Sequence, residues 1–134
     1  MQKTPIQIRF NDIDILGHVN NVMFGHYCDV ARSDFFLNKT SYRLNFQKEN
    51  KAITNNKAII LVHTEYDFLA PCFFTDTLFV ETTLEKTGEK SLHFLQEIVD
   101  EQGNVRVRSR SVMSTFDKST GKSFPLAGEW SFSE

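Results

Sequence analysis

Residues 4–10 alternate Ile6, Ile8 and Phe10 against Gln7 and Arg9, the period of a half-buried strand. The alternation runs into a segment crowded with polar and turn-forming side chains, residues 9–21, which reads Arg-Phe-Asn-Asp-Ile-Asp-Ile-Leu-Gly-His-Val-Asn-Asn. From about residue 22 to residue 37 the apolar positions Phe24, Tyr27, Cys28, Ala31 and Phe35 recur at helical spacing, while His26, Asp29, Arg32 and Ser33 fall mostly off that stripe. Residues 41–48 are expected to form a short second helix and the polar residues 49–57 a flap. Period two then returns over residues 58–69, 77–86, 91–100 and 105–116, separated by turn-rich residues 71–76, 87–90 and 101–104. The last three of these strands are spaced as a meander. Hairpins need no crossover helix, so a strand, a long helix and four consecutive strands predict an α+β layer: an antiparallel sheet wrapped on one helix.

Composition narrows the class. The chain has 134 residues, 40% of them hydrophobic, enough for one globular domain with a real core over residues 1–134. Fifteen basic against 17 acidic residues leave a formal charge of −2, which argues against a polyanion-binding surface and hence against nucleic acid. No apolar run approaches the roughly 20 residues needed to cross a bilayer, and residues 1–10 lack the regions of a signal peptide. A cytoplasmic location is therefore expected. Cys28 and Cys72 lie in no disulfide framework or metal pattern and are expected to be reduced thiols. Thirteen phenylalanines point to a dense core, a subunit interface or a pocket for an apolar ligand.

The chemistry is concentrated in residues 9–21. Asn20 is the natural N-cap of the helix, its side-chain oxygen accepting from an early helical N–H and leaving the amides of Asn21 and Val22 to meet a ligand. A carboxylate at Asp14 facing those N–H groups suits attack on a polarised carbonyl. His18 is placed to orient water or to hydrogen-bond that carboxylate. Asp12 is expected to serve structure, through a turn or a contact with Arg9. Asp12, Asp14 and Gly17 match the opening of a calcium loop, but Leu16 and Met23 stand where oxygen ligands belong. A metal site built from Asp14, His18 and His26 has the wrong spacing for a helix-face motif, and no serine or cysteine sits in a nucleophile elbow.

The order of elements, with the motif D-x-D-x-x-G-H-V-N-N formed by Asp12, Asp14, Gly17, His18, Val19, Asn20 and Asn21 ahead of the helix, resembles the hotdog-fold thioesterases of the 4-hydroxybenzoyl-CoA and acyl-CoA thioesterase family. The likeness extends to Ser41-Tyr42, to Asp67-Phe68 with Pro71 and Asp76, and to residues 117–125. It departs at Thr75, where the family often has Gly, and at Ala70, where it has Arg. The resemblance implies hydrolysis of an acyl thioester to a carboxylic acid and a free thiol, with no metal or redox cofactor. Asp14 is implied as nucleophile or general base and the Asn21 N–H as the donor to the carbonyl. The implied substrate is an acyl-CoA or an acyl carrier protein thioester. The implied assembly is a homodimer joining two sheets edge to edge, or a homotetramer, with each site at a subunit interface. Two other functions fit the fold: a hydratase or dehydratase acting on acyl thioesters, whose usual loop differs from this one, and a non-catalytic acyl-binding module.

Arg106, Arg108 and Arg110 recur at period two and project from one face of a strand. They form either a phosphate-binding stripe for CoA or a solvated face paired with acidic residues on neighbouring strands.

Overall fold

The computed structural model describes residues 1–39 and 56–132. Strand β1 (Gln2–Ile6) leads through a single 3-10 turn (Phe10–Asp12) to helix α1 (Met23–Lys39), and four strands follow: β2 (Lys57–Phe68), β3 (Leu78–Thr87), β4 (Ser91–Val99) and β5 (Val105–Asp117). They form one sheet in the order β1-β3-β4-β5-β2, every neighbouring pair antiparallel. The α+β layer and the β3-β4-β5 meander are those the hydrophobic periods predict. The expected helix over residues 41–48 and most of the flap over 49–57 lie outside the described residues.

The first strand is shorter than its alternation suggests. Its partner β3 begins at Leu78, opposite Ile6, so residues 7–10 have no strand to pair with, and Phe10 is 79% exposed with its ring edge against Phe74. Arg9 and Asp12 turn the chain instead, each backbone or side chain satisfying the other's.

Helix α1 lies on the face of the sheet that carries the buried positions of β3, β4 and β5. The core beneath it comes in two apolar blocks. One holds Val19, Phe24, Tyr27, Cys28, Ala31, Cys72, Leu78, Val80, Ile98 and Val107 near the start of α1. The other holds Phe35, Phe36, Ile59, Leu84, Leu92 and Phe94 near its end, closed by Trp130 and Phe132 of the C-terminal segment. Between the blocks lies a buried polar layer. Gln96 donates to the Cys28 carbonyl (3.0 Å) and Thr82 Oγ1 (3.1 Å) and accepts from Arg32 (2.8 Å), while Arg32 also pairs with Asp29. Because these bonds are directional, they set the rotation of α1 on the sheet in a way that apolar packing does not.

Candidate active site

The loop between β1 and α1 is held by its own backbone. Asp14 N–H donates to the His18 carbonyl (3.0 Å) and Gly17 N–H to the Asp14 carbonyl (3.0 Å), closing a turn in which Gly17 adopts φ 88°. That conformation is open to glycine and strained for other residues. Val19 N–H reaches the Cys72 carbonyl (2.7 Å), and Asn20 N–H reaches the Asp12 carbonyl (2.8 Å). The loop is thus tied both to the segment before β3 and to itself.

The turn brings Asp14 and His18 together on the outer side of the loop. Asp14 Oδ1 accepts from Leu16 N–H (2.9 Å) and lies 3.9 Å from His18 Nδ1, with both side chains partly exposed. Asn20 caps the helix as expected: its carbonyl accepts from Met23 N–H (2.9 Å) and its Oδ1 from Val22 N–H (3.3 Å). The Val22 amide is therefore engaged rather than left for a ligand. The Asn21 N–H, by contrast, has no acceptor among the described residues.

His18, Val19, Asn21 and Phe24 form one wall of a cleft of about 230 Å³, and Phe68, Leu69, Ala70 and Pro71 form the other. The Phe24 and Phe68 rings lie 5.9 Å apart, and Tyr66 stacks on Phe68 at 6.0 Å. A second cavity of about 260 Å³ follows along the same seam between α1 and β2, lined by Val22, Gly25, His26, Asp29, Arg32, Leu61 and Tyr66. The arrangement places a free helix N-terminal donor at the mouth of an aromatic cleft, with a carboxylate and an imidazole on the adjoining turn.

Asp12, two residues before Asp14, has a different environment. It is 1% exposed and accepts from Tyr27 Oη (2.7 Å), Arg9 N–H (3.0 Å) and Arg9 Nη2 (3.3 Å). Burial raises its pKa, but the hydrogen bonds from Arg9 and Tyr27 outweigh this and hold the carboxyl below the usual carboxylate range. Burial, together with the Asp12 carboxylate, pushes the Tyr27 phenol far above its ordinary value, so it remains a donor. The Arg9 contact is the one expected from sequence. The tyrosine was legible only as one more apolar position of the helical stripe.

The arginine stripe runs along the face opposite α1 and is spent largely on pairing. Arg106 donates to Asp76 (3.0 Å), to Asp100 (3.1 Å) and to the Pro71 carbonyl (2.6 Å), and its own carbonyl accepts from the Leu69 and Ala70 amides. It therefore builds the Leu69–Pro71 wall of the cleft from behind and is not free for a phosphate. Arg108 pairs with Glu97 at 2.9 Å, and Arg110 lies 3.8 Å from Glu85. The three arginines thus lie among four carboxylates: Arg108 and Arg110 on a solvated, paired face, and Arg106 mostly buried behind the cleft wall.

Cys28 and Cys72 are fully buried, and burial pushes their thiols up to about 12 and about 11 respectively. Neither supplies a thiolate near neutral pH. Among the described residues no three His, Cys, Asp or Glu side chains converge as a metal site, and His26 lines a groove with Pro5, Ile6, Arg9 and Tyr27 as well as the second cavity. No helix among the described residues is long and apolar enough to cross a membrane.

The chain is similar to proteins named as thioesterases. The long-chain acyl-CoA thioesterase FadM of Escherichia coli (strain K12) is 25% identical over 128 residues, 95% of this chain and 92% of that protein. The crystal structure of YbaW, a probable thioesterase from Escherichia coli, superposes with a TM-score of 0.81 at 25% identity, covering 97% of this chain and 93% of that one. A thioesterase from Thermus thermophilus, solved with coenzyme A and zinc, superposes at 0.77 and 25% identity over 96% of this chain and 92% of its own. The model of the thioesterase-like superfamily matches residues 8–130, which takes in the loop, α1 and strands β2 to β5, and the chain therefore belongs to that superfamily as a hotdog-fold thioester hydrolase.

Proposed function

We propose that this protein is an acyl-CoA thioesterase in which Asp14 drives hydrolysis and the Asn21 N–H polarises the thioester carbonyl. The observation that carries the proposal is the uncommitted Asn21 amide, at the positive end of a 17-residue helix and on the wall of the cleft that begins at His18. Attack on a thioester builds negative charge on the acyl oxygen, and a fixed helix N-terminal donor stabilises it without reorganising. The anionic Asp14 either takes a proton from water, whose oxygen then bonds to the acyl carbon, or bonds to that carbon itself and is released by water. In both routes the carbon–sulfur bond breaks and the thiolate leaves to be protonated. His18 orients the water or the carboxylate.

The acyl group is assigned to the aromatic cleft of Phe24 and Phe68. A cleft of this size, open along β2, fits a site completed by a second copy of the chain. Strand β2 is a 12-residue edge that exposes Ile60, Leu61, Val62 and Phe68, a surface natural sheets cover rather than leave open.

Incubation with a panel of acyl-CoAs tests the assignment directly: free thiol is the expected product. Saturable binding without turnover, or an altered acyl chain on an intact thioester, would overturn it. Asp14→Asn keeps the shape of the side chain and loses its charge, so it is expected to abolish most of kcat while leaving the fold intact. A folded variant with wild-type turnover would remove Asp14 from the mechanism.

A further inference from the structure

The hydrogen bonds of Asp12 join three parts of the site that are distant in function. Its carboxylate grips α1 at Tyr27 (2.7 Å) and the start of the loop at Arg9 (3.0 Å to the amide). Its carbonyl grips the N-cap, through Asn20 N–H at 2.8 Å. Asp14 follows two residues later, and the Ile13–Val19 bridge spans the loop between them. A turn alone does not need a buried carboxylate, since an exposed Asp or Asn satisfies turn amides at little cost. Burying the charge is unfavourable unless several donors meet it. Here the donors come from both the loop and the helix, so the carboxylate fixes one relative to the other.

We propose that Asp12 and Tyr27 are positioning residues of the hydrolytic site, holding the Asp14 carboxylate and the Asn21 amide at a set separation across the scissile carbonyl. This rests on the assignment of Asp14 and Asn21 as the groups that meet the substrate. Asp12 itself has no access to a substrate, being 1% exposed, and Tyr27 reaches the loop from the fifth residue of α1, where its ring is held edge-on against Phe24 at 5.9 Å. A reaction that needs two groups on one carbonyl loses about 100-fold for a misplacement near 1 Å. Binding through the remainder of the substrate is far less sensitive.

Tyr27→Phe removes a single oxygen and keeps the ring. With the full-length protein and an acyl-CoA that the wild type turns over, it is expected to lower kcat by about 10- to 100-fold while KM stays within about twofold. Amide exchange is expected to accelerate at Asn20 while the strands of the sheet keep their protection. Asp12→Asn is expected to act in the same direction. Wild-type kcat in folded Tyr27→Phe would overturn the proposal, as would a loss of kcat accompanied by faster exchange throughout the sheet, which marks a general fold staple. Inactivity of the wild type on every acyl thioester would sink the function assignment instead. An active wild type with an equally active Tyr27→Phe would sink only the positioning role.

Discussion

Asp12 and Asp14 are the same residue type two positions apart in one loop, and burial separates their work. Asp14 keeps 23% of its side chain exposed beside His18, whereas Asp12 is sequestered with every oxygen engaged. The arginines of β5 divide in the same way. Arg106, with 17% exposure and two carboxylate partners, carries the cleft wall. Arg108, at 37%, carries one exposed pair of the kind that contributes little. Arg108→Ala is therefore expected to leave KM for acyl-CoA within about twofold, and Arg106→Ala to raise KM and lower thermal stability together. A selective rise of KM in Arg108→Ala, absent with a truncated thioester that lacks the nucleotide, would restore the phosphate-binding role of the stripe. Regular spacing made the stripe visible in the sequence; the carboxylates that pair with it come from β3, β4, the turn after β4 and the segment before β3 and share no regular spacing with it.

The long elements follow their periods closely. Helix α1 and strands β2 to β5 begin and end within two residues of where the hydrophobic pattern places them; α1, β3, β4 and β5 each bury one face, whereas β2 keeps its alternation with most positions exposed. Strand β1 is the exception, since a strand ends where its neighbour does whatever its own alternation suggests. How α1 is seated depends on the polar layer between the two apolar blocks. Gln96→Leu is expected to destabilise the protein by about 1–3 kcal/mol, since the buried Arg32 loses its Gln96 acceptor and keeps only the exposed Asp29, and Thr82 loses the Gln96 amide. Denaturant unfolding of the variant measures this. An unchanged midpoint would mean that apolar packing alone orients the helix.

At the scale of the molecule, the cleft and the second cavity share the seam between α1 and β2, and β2 is the long open edge of the sheet. Among the described residues one helix covers one face of the five strands and nothing covers this edge. Pairing β2 with its counterpart in a second copy would satisfy the edge and close the seam in a single step. Sedimentation is expected to show a dimer, and Val62→Asp, which puts a charge at a position 56% exposed on that edge, is expected to shift it towards monomer with loss of activity. A wild-type protein that remains monomeric at micromolar concentration would place the whole site within one chain.

What could be read from the chain was local in origin. Periodicity records which face of each element is buried, and the Asp12–Asn21 motif records turn and cap chemistry confined to a few residues, so the α+β layer and the bonds of Asn20 at the start of the helix were legible. Pairings between distant residues were not. Tyr27 meeting Asp12, Gln96 meeting Arg32 and Arg106 meeting Asp76 and Asp100 each join separate elements, and a side chain in such a pair looks, in sequence, like any other residue of its stripe. Hydrogen bonds and ion pairs act over about 3 Å, so whether a polar group serves a ligand or the fold is settled only when the chain has brought its neighbours into place.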